Sequence, residues 1–239
     1  MTRRSTTLLL TIFACLLSFT NFSQEYADPS YYLIDSLDLS IIDEDEMNIL
    51  QSSLVQFHEA ENDTDKVNAI GIILEDSWDE NIYPRYAEWL LEYIEEVEKK
   101  DLSAEEKKTL KFNRGQCYGI IGFYQHDLGN LDVAIENYQS SLVIYTEVGN
   151  LKMISVAYNN LGLAVKENGN VPLSIDYYLK SLRIKEYLQD TLAIATAYNN
   201  LGVTYKEQGL MDEALNYYEL CLEMNMQYGY TKSIAIAQN

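Results

Sequence analysis

The sequence predicts an all-α fold, an α-solenoid of stacked helix-turn-helix repeats. Residues 151–190 superpose on residues 191–230 without a gap and with thirteen identities, and residues 111–150 form a weaker third copy. In each copy, apolar residues recur at steps of three and four, which is typical of one face of a helix. A strict period of 40 residues indicates that each copy folds as one unit of the same shape.

Residues 1–24 have the pattern of a secretory signal peptide. Arg3 and Arg4 precede an almost unbroken apolar run over residues 6–19, and we expect cleavage near Ser23 or Gln24. Two alternatives stay open, lipid attachment at Cys15 and an uncleaved anchor, although the apolar run is shorter than the roughly 20 residues of a membrane span. The segment predicts an exported, periplasmic protein, attached to a membrane only through an uncleaved signal or a further C-terminal part.

The segments between the signal and the repeats differ in composition. Residues 25–46 contain an acidic run and are expected to be flexible. Residues 47–110 are predicted to form divergent N-terminal helices, with a capping helix over 47–60 and a degenerate helix pair over 65–100 that has Pro84 near the start of its second helix. A divergent end is expected because a terminal repeat needs one polar outer face.

Each repeat is predicted to form helix A, a tight turn and helix B. In residues 151–190, Gly169 suits a left-handed cap after helix A, and Pro172 suits the first turn of helix B. Gly162 and Gly202 lie inside helix A, where glycine costs about 1 kcal/mol relative to alanine, so we expect close approach of helix B to offset that cost. The residues expected against these glycines are small: Ala134, Ser174 and Ala214. The aromatic residues one turn later are expected to fill the gap between successive units: Tyr138, Tyr178 and Tyr218.

This pattern carries a family resemblance. The motif aromatic-x-x-Leu-Gly at Tyr158, a glycine seven residues after it, then a small residue and an aromatic four later, resembles the tetratricopeptide repeat over residues 111–239. The usual period is about 34 residues, so this chain is similar to the long-repeat type found in kinesin-light-chain-like proteins and bacterial signalling regulators. The resemblance implies a right-handed solenoid, with repeats at 111–150, 151–190 and 191–230. It also implies a likeness to the N-terminal sensor regions of exported bacterial signalling proteins.

Residues 231–239 keep the register of residues 191–199 and are predicted to begin a further repeat. Two explanations are open: the sequence is part of a longer protein, or the short helix caps the stack. The resemblance implies the first, in which a transmembrane helix and an output module follow the repeats. That module would be a histidine kinase, phosphatase, cyclase or DNA-binding domain.

The charge of the chain limits its partners. The formal net charge is −20, and removal of Arg3 and Arg4 with the signal would leave −22. Such an acidic chain repels phosphate backbones, so we expect no nucleic-acid partner. The charge either keeps a helical surface soluble or presents an acidic face to a basic partner.

The cysteines and histidines do not have the spacing of known catalytic or metal-binding motifs. Cys117 and Cys221 fall among apolar neighbours and are expected to be buried thiols, too far apart for a disulfide. His58 opens an HExxH-like pattern, but Asn62 stands where the second histidine is required. We expect His58 and His126 to be surface residues. The sequence therefore predicts neither an enzyme nor a cofactor or metal site.

Candidate binding residues recur with the repeat. In a solenoid of this type helix A lines the concave face. Asn159 and Asn160 follow Tyr158 by one and two steps of about 100°, so one or both reach that face, and an amide can donate to and accept from a peptide backbone. The predicted peptide-binding set is Asn159, Asn160, Lys166, Asn199, Asn200 and Lys206. In resembling families, asparagines at these sites hold the backbone or terminal carboxylate of an extended peptide, and the lysines would favour an acidic ligand.

The alternative interpretation is that the asparagines bridge neighbouring helices and the lysines are solvated. In the first copy the equivalent residues are Gly119, Ile120 and His126, so the ladder is incomplete. The sequence thus predicts a non-catalytic scaffold that binds a protein or peptide. The truncated periplasmic sensor region of a membrane-bound signalling protein, and an assembly protein with no specific peptide, are the alternatives. The ligand and the oligomeric state do not follow from the sequence.

Overall fold

The structure, a computed structural model, describes residues 29–34 and 37–227. The predicted signal peptide and the predicted start of a repeat at 231–239 lie outside these residues. Within the described ranges the chain forms one short 3-10 helix, Pro29–Tyr32, and nine α-helices, with no strand. The helices are α1 Glu44–Glu59, α2 Asp63–Asp76, α3 Tyr83–Val97, α4 Ala104–Asp127, α5 Leu131–Val148, α6 Leu151–Glu167, α7 Val171–Tyr187, α8 Thr191–Glu207 and α9 Met211–Gln227. The prediction of an all-α fold is confirmed.

The chain divides into two compact units, residues 1–89 and residues 90–239, and the division falls within α3. In the first unit α1 packs against α2, and Leu50, Leu54 and Ile70 are fully buried. Ser77 Oγ and the Trp78 amide both donate to the Glu46 carboxylate, at 2.6 and 2.8 Å, which ties the end of α2 to the first turn of α1.

Part of the segment predicted to be flexible is packed in this unit. Tyr31 and Tyr32 are buried, and the Tyr86 hydroxyl donates to the Tyr32 carbonyl oxygen. His58 stacks on Tyr31 at 4.4 Å between ring centroids while staying exposed, as expected for this histidine. Because α1 begins at Glu44 with Asp43 as its N-cap, the acidic run opens a helix, where carboxylates interact favourably with the helix dipole. Residues 29–32 and 44–46 of the segment predicted to be flexible therefore lie in helices.

In the second unit each helix from α4 to α9 packs against the next one along the chain. Helices α6 and α8 begin 40 residues apart and have the same length, as do α7 and α9. These are the A and B helices of successive repeats, so this unit is a solenoid of helix pairs. Pro172 lies in the first turn of α7, as predicted.

Close packing inside each repeat is made by tyrosine on glycine. A Cβ added to Gly122, Gly162 or Gly202 would stand within 2.7 to 2.8 Å of ring carbons of Tyr138, Tyr178 or Tyr218. The sequence analysis correctly expected close approach, but it placed the small residues of helix B against these glycines. Those residues are buried, and among the three atoms nearest to each Cβ position they contribute the Ala134 carbonyl oxygen, 3.3 Å from a Cβ at Gly122.

The same tyrosines also join successive repeats. Tyr178 packs with Ile194, Ala197 and Leu201 of α8, and Tyr138 packs with Leu161 and Ala164 of α6. Each of these two rings therefore fills the gap within its own repeat and also the gap to the next repeat. The sequence predicted the filling of the gap between repeats.

The repeats end in left-handed caps. Gly149 after α5 has φ +75°, and the equivalent residue one period later is Gln189, with φ +55°. Both make the same pair of bonds: the residue's own amide donates three residues back, and the next amide donates five residues back. Glutamine here adopts a backbone conformation that glycine tolerates better, because its Cβ crowds the following carbonyl oxygen.

Two buried groups show how the repeats differ in detail. Ser181 Oγ donates to the Ser155 carbonyl oxygen at 2.7 Å, and Ser141 does the same to Gly115 at 2.8 Å. In the third repeat this position is Cys221, a buried free thiol. Lys185 is only 6% exposed and occupies the position held by buried Tyr145 and Asn225 in the neighbouring repeats. Burial lowers the pKa of the Lys185 ammonium, and Asp190 partly opposes this.

Candidate functional site

The six predicted binding residues lie on two neighbouring A helices. Helix α6 carries Asn159, Asn160 and Lys166, and α8 carries the equivalent Asn199, Asn200 and Lys206. The four asparagines and Lys166 are half-buried, and Lys206 is exposed. We call the surface formed by these six residues the helix-A surface.

Two of the asparagines bond to each other across the repeats. Asn200 Nδ2 donates to Asn159 Oδ1 at 3.0 Å. This contact is the bridging role that the sequence left open as an alternative. By contrast, the side chains of Asn160 and Asn199 make no hydrogen bond to any residue that the structure describes. The repeated Asn-Asn pair is thus divided between one inter-repeat hydrogen bond and two amides that have no partner among the described residues.

The lysines are divided in a similar way. Lys166 Nζ lies 3.4 Å from Glu207 Oε1 of the next repeat, and its side chain is only 17% exposed. Its charge is therefore largely balanced within the protein. Lys206 forms no ion pair within the described residues and is exposed. Of the two lysines, only Lys206 presents an unbalanced positive charge on the helix-A surface.

His126 continues the same row of contacts in the first repeat. Its Nε2 lies 3.0 Å from Glu167 Oε2, and its Nδ1 lies 3.8 Å from Asp127 Oδ1. The side chain is only 12% exposed, so the expectation of a surface histidine is wrong. The repeat register could have predicted this contact, because His126 lies one period before Lys166, and Glu167 lies one period before Glu207. His126 and Lys166 each contact a glutamate carboxylate on the next A helix.

A second cluster, on α6 and α7, is aromatic. Tyr158 of α6 and Tyr177 of α7 stack with centroids 5.9 Å apart. Lys180 Nζ lies over both rings, at 5.8 and 5.5 Å from their centroids, and bonds to Asp176 at 2.7 Å. A lysine of the chain itself therefore occupies a cation–π site in the second repeat.

One period later the same aromatic pair recurs without a lysine. Tyr198 and Tyr217 have centroids 6.1 Å apart, and Tyr205 stacks on Tyr217 at 5.5 Å with the rings nearly parallel. The Tyr198 hydroxyl donates to Glu186 Oε1 at 3.4 Å. Burial, aided by the nearby Glu186 carboxylate, raises the pKa of Tyr198, and burial likewise raises the pKa of Tyr217. These hydroxyls are therefore uncharged at neutral pH.

Among residues 29–34 and 37–227, no three His, Cys, Asp or Glu side chains are grouped to hold a metal ion. Burial raises the pKa of the Cys117 thiol well above its ordinary value, which disfavours the reactive thiolate. None of the helices described here is both long and apolar enough to cross a membrane.

Comparison with known proteins agrees with this architecture. The family model described as tetratricopeptide repeat matches residues 153–227. No curated protein matches the chain. The fold is similar to the crystal structure of BtubC (BKLC) from P. vanneervenii, with 20% identity, TM-score 0.60, and 77% of this chain covering 73% of that one.

A second similar structure is that of a Rap protein complexed with Competence and Sporulation Factor. It shares 18% identity, with a TM-score of 0.62, over 77% of this chain and 51% of the Rap chain. The chain thus spans about half the length of that protein. At these identities the two likenesses establish the fold.

Proposed function

Because the chain is a tetratricopeptide-repeat protein, we propose that it is a non-catalytic scaffold that binds a protein or peptide on its helix-A surface. In a repeat stack of this kind the A helices form an extended binding surface. The Rap structure, which has a similar fold, is complexed with Competence and Sporulation Factor. Both facts support the general role of the fold.

The observation that carries the proposal is the pair of open amides, Asn160 and Asn199. They lie on adjacent A helices, they are half-buried, and they bond to none of the described residues. An unbonded amide that is partly withdrawn from water gains a hydrogen bond when a peptide backbone approaches, whereas leaving it unmatched has a cost. Two such groups on neighbouring repeats can hold one extended segment at two points.

The test separates these amides from the bonded pair. Random dodecapeptides displayed on phage are selected on the wild-type chain, and a selected peptide is then measured by fluorescence anisotropy. We expect Asn160→Ala with Asn199→Ala to weaken binding about tenfold or more, with the melting temperature unchanged. The matched variant, Asn159→Ala with Asn200→Ala, should lower the melting temperature through loss of the inter-repeat bond.

Two results would contradict the proposal. If the selection yields no peptide that binds above background, the proposed role as a peptide-binding scaffold is wrong. If the selected peptides bind the Asn160/Asn199 variant as tightly as they bind the wild-type chain, the helix-A surface is not their binding site.

Export is the second part of the proposal, supported by the sequence of residues 1–24. Expression of the chain in a bacterial host, followed by fractionation and N-terminal sequencing, tests it. We expect mature protein beginning near residue 24 or 25 in the periplasmic fraction. Unprocessed protein in the cytoplasm would argue against export.

A sensor region of a larger membrane-bound signalling protein is the alternative function. It is favoured by the register that residues 231–239 share with residues 191–199. Reading the DNA after codon 239 decides between the two. An open frame that encodes a transmembrane run and an output module supports the sensor, and an in-frame stop codon supports the scaffold.

A further inference from the structure

The aromatic cluster of the third repeat has the composition of a site for a cationic side chain. In the second repeat, Tyr158 and Tyr177 hold the Lys180 ammonium over their rings. The equivalent pair in the third repeat, Tyr198 and Tyr217, is joined by Tyr205, which replaces buried Val165. We call Tyr198, Tyr205 and Tyr217 the tyrosine cluster.

The residues that fill the site in the second repeat are changed in the third. Leu220 stands at the position of Lys180, and Asn216 at the position of Asp176. A leucine side chain ends two atoms short of the place where a lysine carries its ammonium group. Among the described residues, the third repeat therefore keeps the aromatic pair but has no lysine at the position that Lys180 occupies in the second repeat.

A carboxylate is present beside the cluster to favour a positive charge. Glu186, at the end of α7, is exposed and accepts the Tyr198 hydroxyl at 3.4 Å. The three tyrosines are half-buried, which lowers the local dielectric and strengthens the attraction of a cation to a ring. The formal charge of −20 also attracts basic partners from a distance.

We infer that the tyrosine cluster, with Glu186, binds a lysine or arginine side chain of the protein partner. The inference rests on the proposed function, and it names the chemistry of one ligand residue. Lys180 shows within the same chain how such a side chain lies over the two rings. The basic partner that it implies differs from the acidic ligand expected from Lys166 and Lys206. Lys166 is paired with Glu207, which leaves only Lys206 of the two to attract an acidic ligand.

The experiment places the residue types of the second-repeat site in the third repeat, and those of the third repeat in the second, without changing the net charge. Fluorescein-labelled hexalysine is titrated into the wild-type chain at 150 mM salt and followed by anisotropy. Leu220→Lys with Asn216→Asp recreates the lysine and its carboxylate partner, which should fill the cluster and weaken hexalysine binding about fivefold. Lys180→Leu with Asp176→Asn should open the second-repeat site and strengthen binding by a similar factor.

Because both double variants keep the formal charge at −20, a change in affinity cannot come from long-range attraction. Circular dichroism checks that each variant is folded, and a misfolded variant leaves the other to decide. Hexalysine affinities within twofold of wild type in the folded variants would overturn the inference.

The two proposals fail separately. If selected dodecapeptides depend on Asn160 and Asn199 while hexalysine ignores both exchanges, the tyrosine cluster is not a cation site and the scaffold role stands. If hexalysine responds to the exchanges while no selected peptide depends on those asparagines, the helix-A surface is wrong and the cation site stands.

Discussion

At the scale of single residues, glycine sets how closely the two helices of a repeat approach. Gly162 faces the ring of Tyr178, and a Cβ at Gly162 would stand 2.8 Å from two ring carbons. Gly119, also inside an A helix, has only Ser141 Oγ near its Cβ position, at 3.5 Å, an ordinary contact. A methyl group at Gly162 would therefore clash with the tyrosine ring, whereas a methyl group at Gly119 would fit.

We expect Gly162→Ala to lower the free energy of unfolding by about 1–3 kcal/mol, the usual cost of overpacking. Gly119→Ala should raise it by up to about 1 kcal/mol, because alanine is the better helix former and finds room. Urea denaturation followed by circular dichroism measures both. Equal effects of the same sign would mean that the tyrosine does not fix the spacing of the helices.

Gln189 adopts a left-handed backbone conformation that suits its side chain poorly. We expect Gln189→Gly to raise the free energy of unfolding by about 1 kcal/mol, since glycine adopts φ +55° without the crowding of a Cβ. The reverse change at the matched cap, Gly149→Gln, should lower it by a similar amount. Thermal melts of the two variants give the check, and a loss of stability in Gln189→Gly would show that the glutamine side chain supports the cap.

Lys185 is a lysine with a lowered pKa in the core of a repeat. Its folded-state pKa lies below the unfolded one, so the unfolded chain binds more protons between the two values and stability rises with pH there. Lys185→Met keeps the buried stem without the charge, and we expect it to raise the free energy of unfolding by about 1 kcal/mol at pH 7.

This gain should shrink as pH rises from the lowered folded-state pKa toward the ordinary lysine value of about 10.4. Urea denaturation at pH 7 and at about pH 10.5 measures the difference from wild type, and exposed Lys152→Met serves as the control. A gain that is equal at both pH values would assign the effect to packing.

At the scale of helices, the sequence predicted the repeats well because their ends are encoded locally. The A and B helices follow from the 3.6-residue period, and their ends follow from Gly169, Pro172 and the 40-residue spacing. The role of Tyr178 was harder to see. A ring one turn beyond a small residue shares its face of the helix, and only the packed structure shows which of the two reaches the glycine.

The sequence predicted the candidate site as a set of residues and left bridging asparagines open as an alternative. It did not predict which residues pair with which. The period placed the asparagines and lysines in register. Yet the bonds run from residue n to residue n+41, as in Asn159 to Asn200 and Lys166 to Glu207. That offset depends on how neighbouring A helices slide and turn against each other, which a repeat length alone does not contain. His126 was misplaced for the same reason.

At the scale of the second unit, contacts join each helix chiefly to its neighbours along the chain. Stability in such a stack is nearly a sum of local terms. Gly202→Ala puts a Cβ 2.7 Å from the Tyr218 ring. We expect it to lower amide hydrogen-exchange protection in α8 and α9 while α4 and α5 keep theirs. Mass spectrometry of peptic fragments resolves this, and a uniform loss from α4 to α9 would instead show all-or-none unfolding.

The n+41 offset has a consequence for how such a molecule can grow. Because each of these two contacts joins a residue to the neighbour of its own counterpart, the second repeat carries both halves of them: Lys166 with Glu167, and Asn159 with Asn160. A tandem duplication of residues 151–190 would thus bring matching residues for these two contacts at the new junction. Lengthening by whole copies is the evolutionary step that this geometry makes easiest.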